Sequence, residues 1–227
     1  MEIVYEDNHL IIVNKAVGEI VQGDKTGDTP LSDLIKNYLK EKYRKPGNVF
    51  CGVIHRLDRP VSGLVVFAKT SKALSRMNRM FQNREVEKVY WAITRFQPPK
   101  KEDTLIDYIS TVERNNKSYA SKMPREGAAR AVLDYKVLSH TDYYYLLEIR
   151  LHTGRKHQIR VQLAAMGCPI RGDLKYGDRR SNPDKGISLQ SHRIKFTHPV
   201  SGDIIDVSAP VPNDNLWQAL VENINSK

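Results

Sequence analysis

The chain is short of cysteine, of acidic charge and of long apolar runs, and each shortage excludes something. Its 227 residues include two cysteines, Cys51 and Cys168, far apart and without a Cys-x-x-Cys pair. That spacing signals neither a disulfide framework nor a zinc site, and reads as two reduced thiols. Nowhere is there an uninterrupted apolar span of the roughly 18 residues a membrane helix needs. The opening "MEIVYEDNHLIIVNK" also lacks a charged leader followed by a long apolar core, so a cytoplasmic protein with no membrane association is expected. The signatures Gly-x-Gly-x-x-Gly, Gly-x-x-x-x-Gly-Lys-Ser/Thr, His-Glu-x-x-His and Gly-x-Ser-x-Gly are absent, which argues against nucleotide cofactors and zinc hydrolysis. His152 and His157 flank Gly154 at a spacing unsuited to two ligands on one helical turn, so no metal is expected. Repeats, linkers and low-complexity tracts are missing too.

What is present in excess is positive charge. Lys plus Arg number 36 against 26 Asp plus Glu, giving a formal net charge of +10 and a pI near 9.5. Such a balance favours a polyanionic partner through phosphate neutralisation and counterion release. It points to nucleic acid.

The residue pattern predicts strands mixed with scattered helices. "IVYEDNHLIIVNK" reads as two strands joined by the turn formers Glu6, Asp7 and Asn8. In "TPLSDLIKNYLKEKY", Thr29 suits an N-cap and Pro30 the first helical position, with Leu31, Leu34, Ile35, Tyr38 and Leu39 on one helical face. "GLVVFAKT" reads as a buried strand. "SKALSRMNRMFQN" reads as a helix with Ser71 placed to cap it and Leu74, Met77 and Phe81 inward. "KVYWAITRF" and "YYYLLEIRLHT" are strand-like by aromatic and β-branched content. "RKHQIRVQLAAMG" predicts a helix with Ile159, Leu163 and Met166 inward, ended by Gly167. A hairpin around Ser201, Gly202 and Asp203 and a closing helix in "NDNLWQALVENI" complete the chain. Hairpin-grouped strands of this kind indicate an α+β fold on a mainly antiparallel sheet flanked by helices, one domain of two loosely defined lobes.

Two stretches carry candidate chemistry. In "HRLDRPVSG" an aspartate, Asp58, stands between Arg56 and Arg59 just before a buried strand; a solvated surface pair is the plain alternative, since exposed pairs contribute little. In "LHTGRKHQIRVQL", Arg155, Lys156, His157 and Arg160 crowd a predicted helix N-terminus, whose free backbone N–H groups favour anions. An ordinary basic helix face is the plain alternative there.

Taken together and in order, "HRLDRPVSG", "EKVYWAIT", "HTGRKHQIR" and "KFTHPVSG" resemble the RluA family of RNA pseudouridine synthases, from the N-terminal hairpin to about Pro212. The resemblance implies isomerisation of uridine to pseudouridine in structured RNA, ribosomal or transfer, without a cofactor, on an antiparallel-sheet catalytic domain with a central cleft. Carried onto this chain, Asp58 matches the catalytic aspartate. Tyr90 matches the tyrosine that stacks on uracil, Arg155 the arginine that pairs with the aspartate, and Arg56 a position that displaces the target base. Arg59, Lys156 and Arg160 are then expected to contact RNA. The chemistry agrees: uracil must be detached, rotated and rejoined without leaving the pocket. An ionised carboxylate can attack covalently or remove a sugar proton, and an aromatic ring can hold the freed base. The base must also be flipped out of its stack.

The chain departs from the family pattern at several points. Lys15-Ala16-Val17-Gly18 stands for lysine-proline-x-glycine, Pro60-Val61 for an acidic-threonine pair, Gln162 for a histidine, and "LQSHRIKF" for a leucine-histidine-alanine pattern. These lie around the expected site and bear on substrate identity more than on chemistry. The first strand begins close to Met1, so no separate N-terminal RNA-binding domain is expected, and the protein is read as a monomer. Two rival functions use the same residues: a non-catalytic RNA-binding protein on this fold, and an N-glycosidic hydrolase releasing free uracil.

Overall fold

A computed structural model describes residues 1–225 of the chain. In chain order the elements are β1 (Glu2–Glu6), β2 (Leu10–Lys15), α1 (Leu31–Lys42), β3 (Gly52–Val53), β4 (Ser62–Ala68), α2 (Ser71–Asn83), β5 (Glu87–Thr94), β6 (Glu102–Val112), β7 (Lys117–Ser121), β8 (Ala129–His140), β9 (Tyr145–Leu151), α3 (Gln158–Ala165), β10 (Leu189–Thr197), β11 (Ile204–Ser208) and α4 (Asn215–Asn225). The fold is α+β, as the sequence indicated. Two compact units divide the chain: Met1–Glu87 with Ser191–Ala209, and Lys88–Gln190 with the segment from Pro210.

The first unit carries the strand order β1-β2-β4-β10-β11, with β3 alongside β4. Pairs β1–β2, β2–β4, β3–β4 and β10–β11 are antiparallel. The strand period of two sorts β2 and β4 onto two covered faces. Leu10, Ile12, Leu64 and Val66 pack with Ala73 and Met77 of α2. Ile11, Val13, Val65 and Phe67 pack with Leu31, Ile35 and Leu39 of α1. Burial on both faces explains why these strands read as continuous apolar runs.

The starts of α1 and α2 differ from expectation by one residue. Helix α1 begins at Leu31, with Pro30 extended at the cap position and no side-chain cap. Its orphan N–H groups are met by backbone instead: Leu31 N–H donates to Ile20 O at 2.8 Å and Ser32 N–H to Val21 O at 3.3 Å. In α2 the cap is Thr70, whose Oγ1 accepts from Ala73 N–H at 3.1 Å, and Ser71 is the first helical residue.

The second unit carries the antiparallel order β5-β9-β8-β6-β7. Trp217 and Leu220 of α4 pack on Ile93 and Leu146, and the Asp214 carboxylate accepts from Leu216 N–H at 2.9 Å to start that helix. Val161 of α3 packs on Ile109, Ala131 and Tyr176. No helix among the described residues is long and apolar enough to cross a membrane.

Candidate active site

Asp58 sits on a turn of the first unit, closed by Val61 N–H donating to Asp58 O at 3.0 Å. The turn is pinned on both sides. Upstream, His55 stacks on Phe81 of α2 with ring centroids 5.0 Å apart, and its Nε2 accepts from Val66 N–H of β4 at 3.1 Å. Downstream, Lys15 at the end of β2 is 0 % exposed. Its Nζ donates to Ala16 O at 2.9 Å, Arg59 O at 3.1 Å and Val61 O at 2.6 Å. A buried ammonium is tolerable only when its donors are satisfied, and here the Ala16 carbonyl and two carbonyls of the Asp58 turn do so. Burial brings the Lys15 pKa down to about 8, while the carboxylates of Glu19 and Asp58 pull it up. At neutral pH it is therefore a cation within electrostatic range of Asp58.

Gly63 closes the motif for a steric reason. Its φ is +108°, and a Cβ there would lie 2.3 Å from the backbone oxygen of Ser191 in β10. Only glycine allows β10 to approach β4 this closely just past the Asp58 turn.

The two arginines beside Asp58 differ. Arg56 is exposed. Arg59 donates to the Asp28 carboxylate at 2.5 Å, to Asp24 at 3.3 Å and to Thr26 Oγ1 at 2.7 Å. Its guanidinium therefore rests on the 24–28 loop, and hydrogen bonding to it helps hold Asp28 below the usual carboxylate range.

In the second unit Tyr90 lies within β5, 7 % exposed, opposite Ile149 of β9. Arg155 and Lys156 are exposed on the loop after β9. The expected helix over this stretch is shorter than predicted: α3 starts at Gln158, because His157 takes a left-handed conformation with φ +55°. Gln158 organises the loop. Its Oε1 accepts from Arg155 N–H at 3.0 Å and Thr153 Oγ1 at 2.8 Å, while its Nε2 donates to Val132 O at 3.1 Å. The Arg155 Nε donates to Arg130 O at 3.1 Å, which ties the side chain to the start of β8. The Lys156 carbonyl accepts from Ser118 Oγ at 2.9 Å, leaving its ammonium outside.

Arg160, expected to meet RNA, is placed otherwise. It is 6 % exposed and binds Asp173 with both carboxylate oxygens, Nε to Oδ2 at 2.7 Å and a terminal nitrogen to Oδ1 at 2.9 Å. Helix α3 is buried from Gln158 to Leu163, so its basic residue is spent on an internal ion pair. Gln162 is also internal: its Nε2 donates to the Asp107 carboxylate at 2.8 Å and to Leu105 O at 3.3 Å. Its departure from a histidine thus concerns the packing of α3 on β6. Among the described residues no cluster of His, Cys, Asp and Glu could hold a metal ion.

A family model described as RNA pseudouridylate synthase matches residues 9–165. The chain belongs to the RluA family of RNA pseudouridine synthases. It is 32% identical to tRNA pseudouridine synthase C of Vibrio parahaemolyticus, over 97% of this chain and 93% of that protein. It is 33% identical to ribosomal large subunit pseudouridine synthase D of Vibrio cholerae, over 100% of this chain and 72% of that one. Among solved structures, human RNA Pseudouridylate Synthase Domain Containing 4 superposes with a TM-score of 0.78 at 24% identity, covering 99% of this chain and 93% of that chain. That last likeness supports the fold.

As a member of this family the protein is an isomerase acting on RNA. Two residues that set up the site are assigned no role from the sequence, although both stand in motifs quoted above: Lys15, which braces the Asp58 turn, and Gln158, which shapes the Arg155 loop. A lone lysine ending an apolar strand is the visible signal for the first. For Gln158 the signal is its place in "HTGRKHQIR", three residues after Arg155.

Proposed function

We propose that the protein converts uridine to pseudouridine in structured RNA, with Asp58 as the catalytic carboxylate. The C1′–N1 bond of the target uridine breaks, the uracil turns, C1′–C5 forms, C5 gives up its proton and N1 takes one up, so the composition is unchanged and no cofactor is required. The observation that carries the assignment is the Asp58 turn, braced by His55 before it and by the Lys15 ammonium after it. Two-sided bracing of a half-buried carboxylate holds it aimed, which the solvated surface pair of the plain reading does not require.

In this reading Tyr90 stacks on the freed uracil, and Arg155 is the arginine that serves the aspartate. Arg56, exposed beside Asp58, fills the space the flipped nucleotide leaves. Arg56 and Lys156 contact the RNA backbone. Arg59 joins them by exchanging its carboxylate partners for phosphate, and Arg160 supports α3 from inside. The protein acts as a monomer in the cytoplasm.

Transfer RNA is the first substrate class to test, because a relative matched over nearly its whole length is named for it; ribosomal RNA is the second. Pseudouridine mapping of total RNA from cells with and without the gene decides. A site lost on deletion and restored by the purified enzyme on that RNA supports the reading. Release of free uracil, or no change in any RNA, overturns it.

A further inference from the structure

Helix α2 is charged in a way its stability does not call for. Its thirteen residues include Lys72, Arg76 and Arg79 and no acidic residue. These lie at i, i+4 and i+7, so they share one face, about 10 Å from end to end at 1.5 Å per residue. All are exposed, while the opposite face, Ala73 and Met77, is buried. Among the described residues none of the three is in an ion pair; Arg76 donates to the Pro199 carbonyl at 2.7 Å. Like charges at this spacing cost a helix a few tenths of a kcal/mol each.

The companion helix α1 shows the ordinary arrangement. There Lys36 pairs with Asp33 at 2.8 Å and Lys42 with Glu6 at 2.7 Å. Arg193 of β10 is likewise paired, with Asp206. Among the described residues two of the three α1 lysines are thus paired, and none of the three α2 cations is.

Its course matters as well. Strand β4 leaves the Asp58 turn at Ser62, and α2 starts beyond the far end of that strand and runs back, so that Phe81 in its last turn stacks on His55. Read from Lys72 to Arg79, the stripe leads toward the "HRLD" segment and the exposed Arg56.

We propose that Lys72, Arg76 and Arg79 form a phosphate-binding rail that carries the RNA backbone flanking the target uridine toward the Asp58 turn. The rail recognises charge and spacing, so it is indifferent to sequence and adds affinity through released counterions. It rests on the RNA-modifying activity proposed above and extends the RNA surface to a helix that the motifs do not include.

The test is binding of the full chain to a stem–loop RNA transcript with unpaired uridines, titrated across salt concentrations. Wild type is compared with K72Q/R76Q/R79Q and with the charge-retaining R76K/R79K. Loss of three phosphate contacts should reduce the log–log salt slope by about two units and weaken binding about tenfold or more at low salt. R76K/R79K should keep the wild-type slope. The substituted positions are exposed and glutamine is a good helix former, so the fold should persist in a thermal melt; if the triple variant melts early, R79Q alone should still lower the slope by roughly 0.7 to 0.9. A triple variant with the wild-type slope overturns the rail. Pseudouridine formed by wild type on the mapped RNA is scored separately, so failure of the catalytic reading and failure of the rail give different results.

Discussion

The Lys15 ammonium donates to the Val61 carbonyl at 2.6 Å across 46 residues of sequence. Through that bond and its partner at Arg59, strand β2 holds the turn that presents Asp58. Lys15→Met keeps the bulk and removes the charge, leaving the Val61 carbonyl without its donor. An orphaned buried acceptor costs about 1–3 kcal/mol. The melting temperature should fall by several degrees, and turnover should fall further than RNA affinity. Equal turnover in the two proteins would show the brace to be dispensable.

The same lysine gives a pH dependence with a definite sign. Its pKa near 8 in the folded protein lies below the free value of 10.5, so between these the folded state binds fewer protons than the unfolded one. The group's contribution to stability therefore rises as pH climbs through that window. Loss of the proton also removes one of the donors on the turn, so turnover should decline above about pH 8 without a matching fall in melting temperature. The check is a pH profile of kcat/KM beside melts at each pH. The residual activity of Lys15→Met should lack that alkaline limb.

Arg160 and Asp173 form a buried ion pair, and breaking one side leaves an uncompensated charge. Arg160→Met should cost about 3–5 kcal/mol of stability. At a temperature where the variant is folded, its RNA-binding salt slope should equal that of wild type. A reduced slope would return Arg160 to the RNA surface.

Tyr90→Phe keeps the ring and should keep RNA binding. If the hydroxyl moves a proton, turnover drops by orders of magnitude; if the ring alone matters, it stays within a few-fold. Tyr90→Ala removes a buried aromatic, at about 3–5 kcal/mol of stability by analogy with other large aromatic truncations, and should abolish turnover. Near-normal pseudouridine formation by Tyr90→Ala would make the residue an ordinary strand aromatic.

Asp58→Asn preserves shape while removing charge. It should fold, bind the mapped RNA and form no pseudouridine above background. Retained turnover would overturn the catalytic assignment. Asp58→Glu, which keeps the charge and shifts its position, should recover only a small fraction of the activity, since geometry sets the rate.

Much of this protein is legible along the chain alone. The apolar runs in "LIIVNK" and "GLVVFA", the helical spacing in "SDLIKNYLKEK" and the glycine-marked hairpin near Ser201 are local signals, and each marks the element observed. The ordered motifs identify the family because short, specific residue strings survive where overall identity is low. Helix starts are less legible. Pro30 and Thr70 become the caps because the donors of α1 meet the Ile20–Val21 backbone and Thr70 reaches Ala73, and neither partner is chosen by propensity alone.

By itself the sequence determined the fold class, the family and the carboxylate to test first, since these rest on local periodicity and on motifs read along the chain. Tertiary structure decided which charges are available. Arg160 and Arg56 look alike in a basic stretch, yet one is buried against Asp173 and the other is exposed. Lys15 looks like a strand-end surface residue, yet it is enclosed and braces the Asp58 turn. The difference is physical: a charge's work depends on its solvation and on partners tens of residues away, and only the folded chain brings those partners within reach.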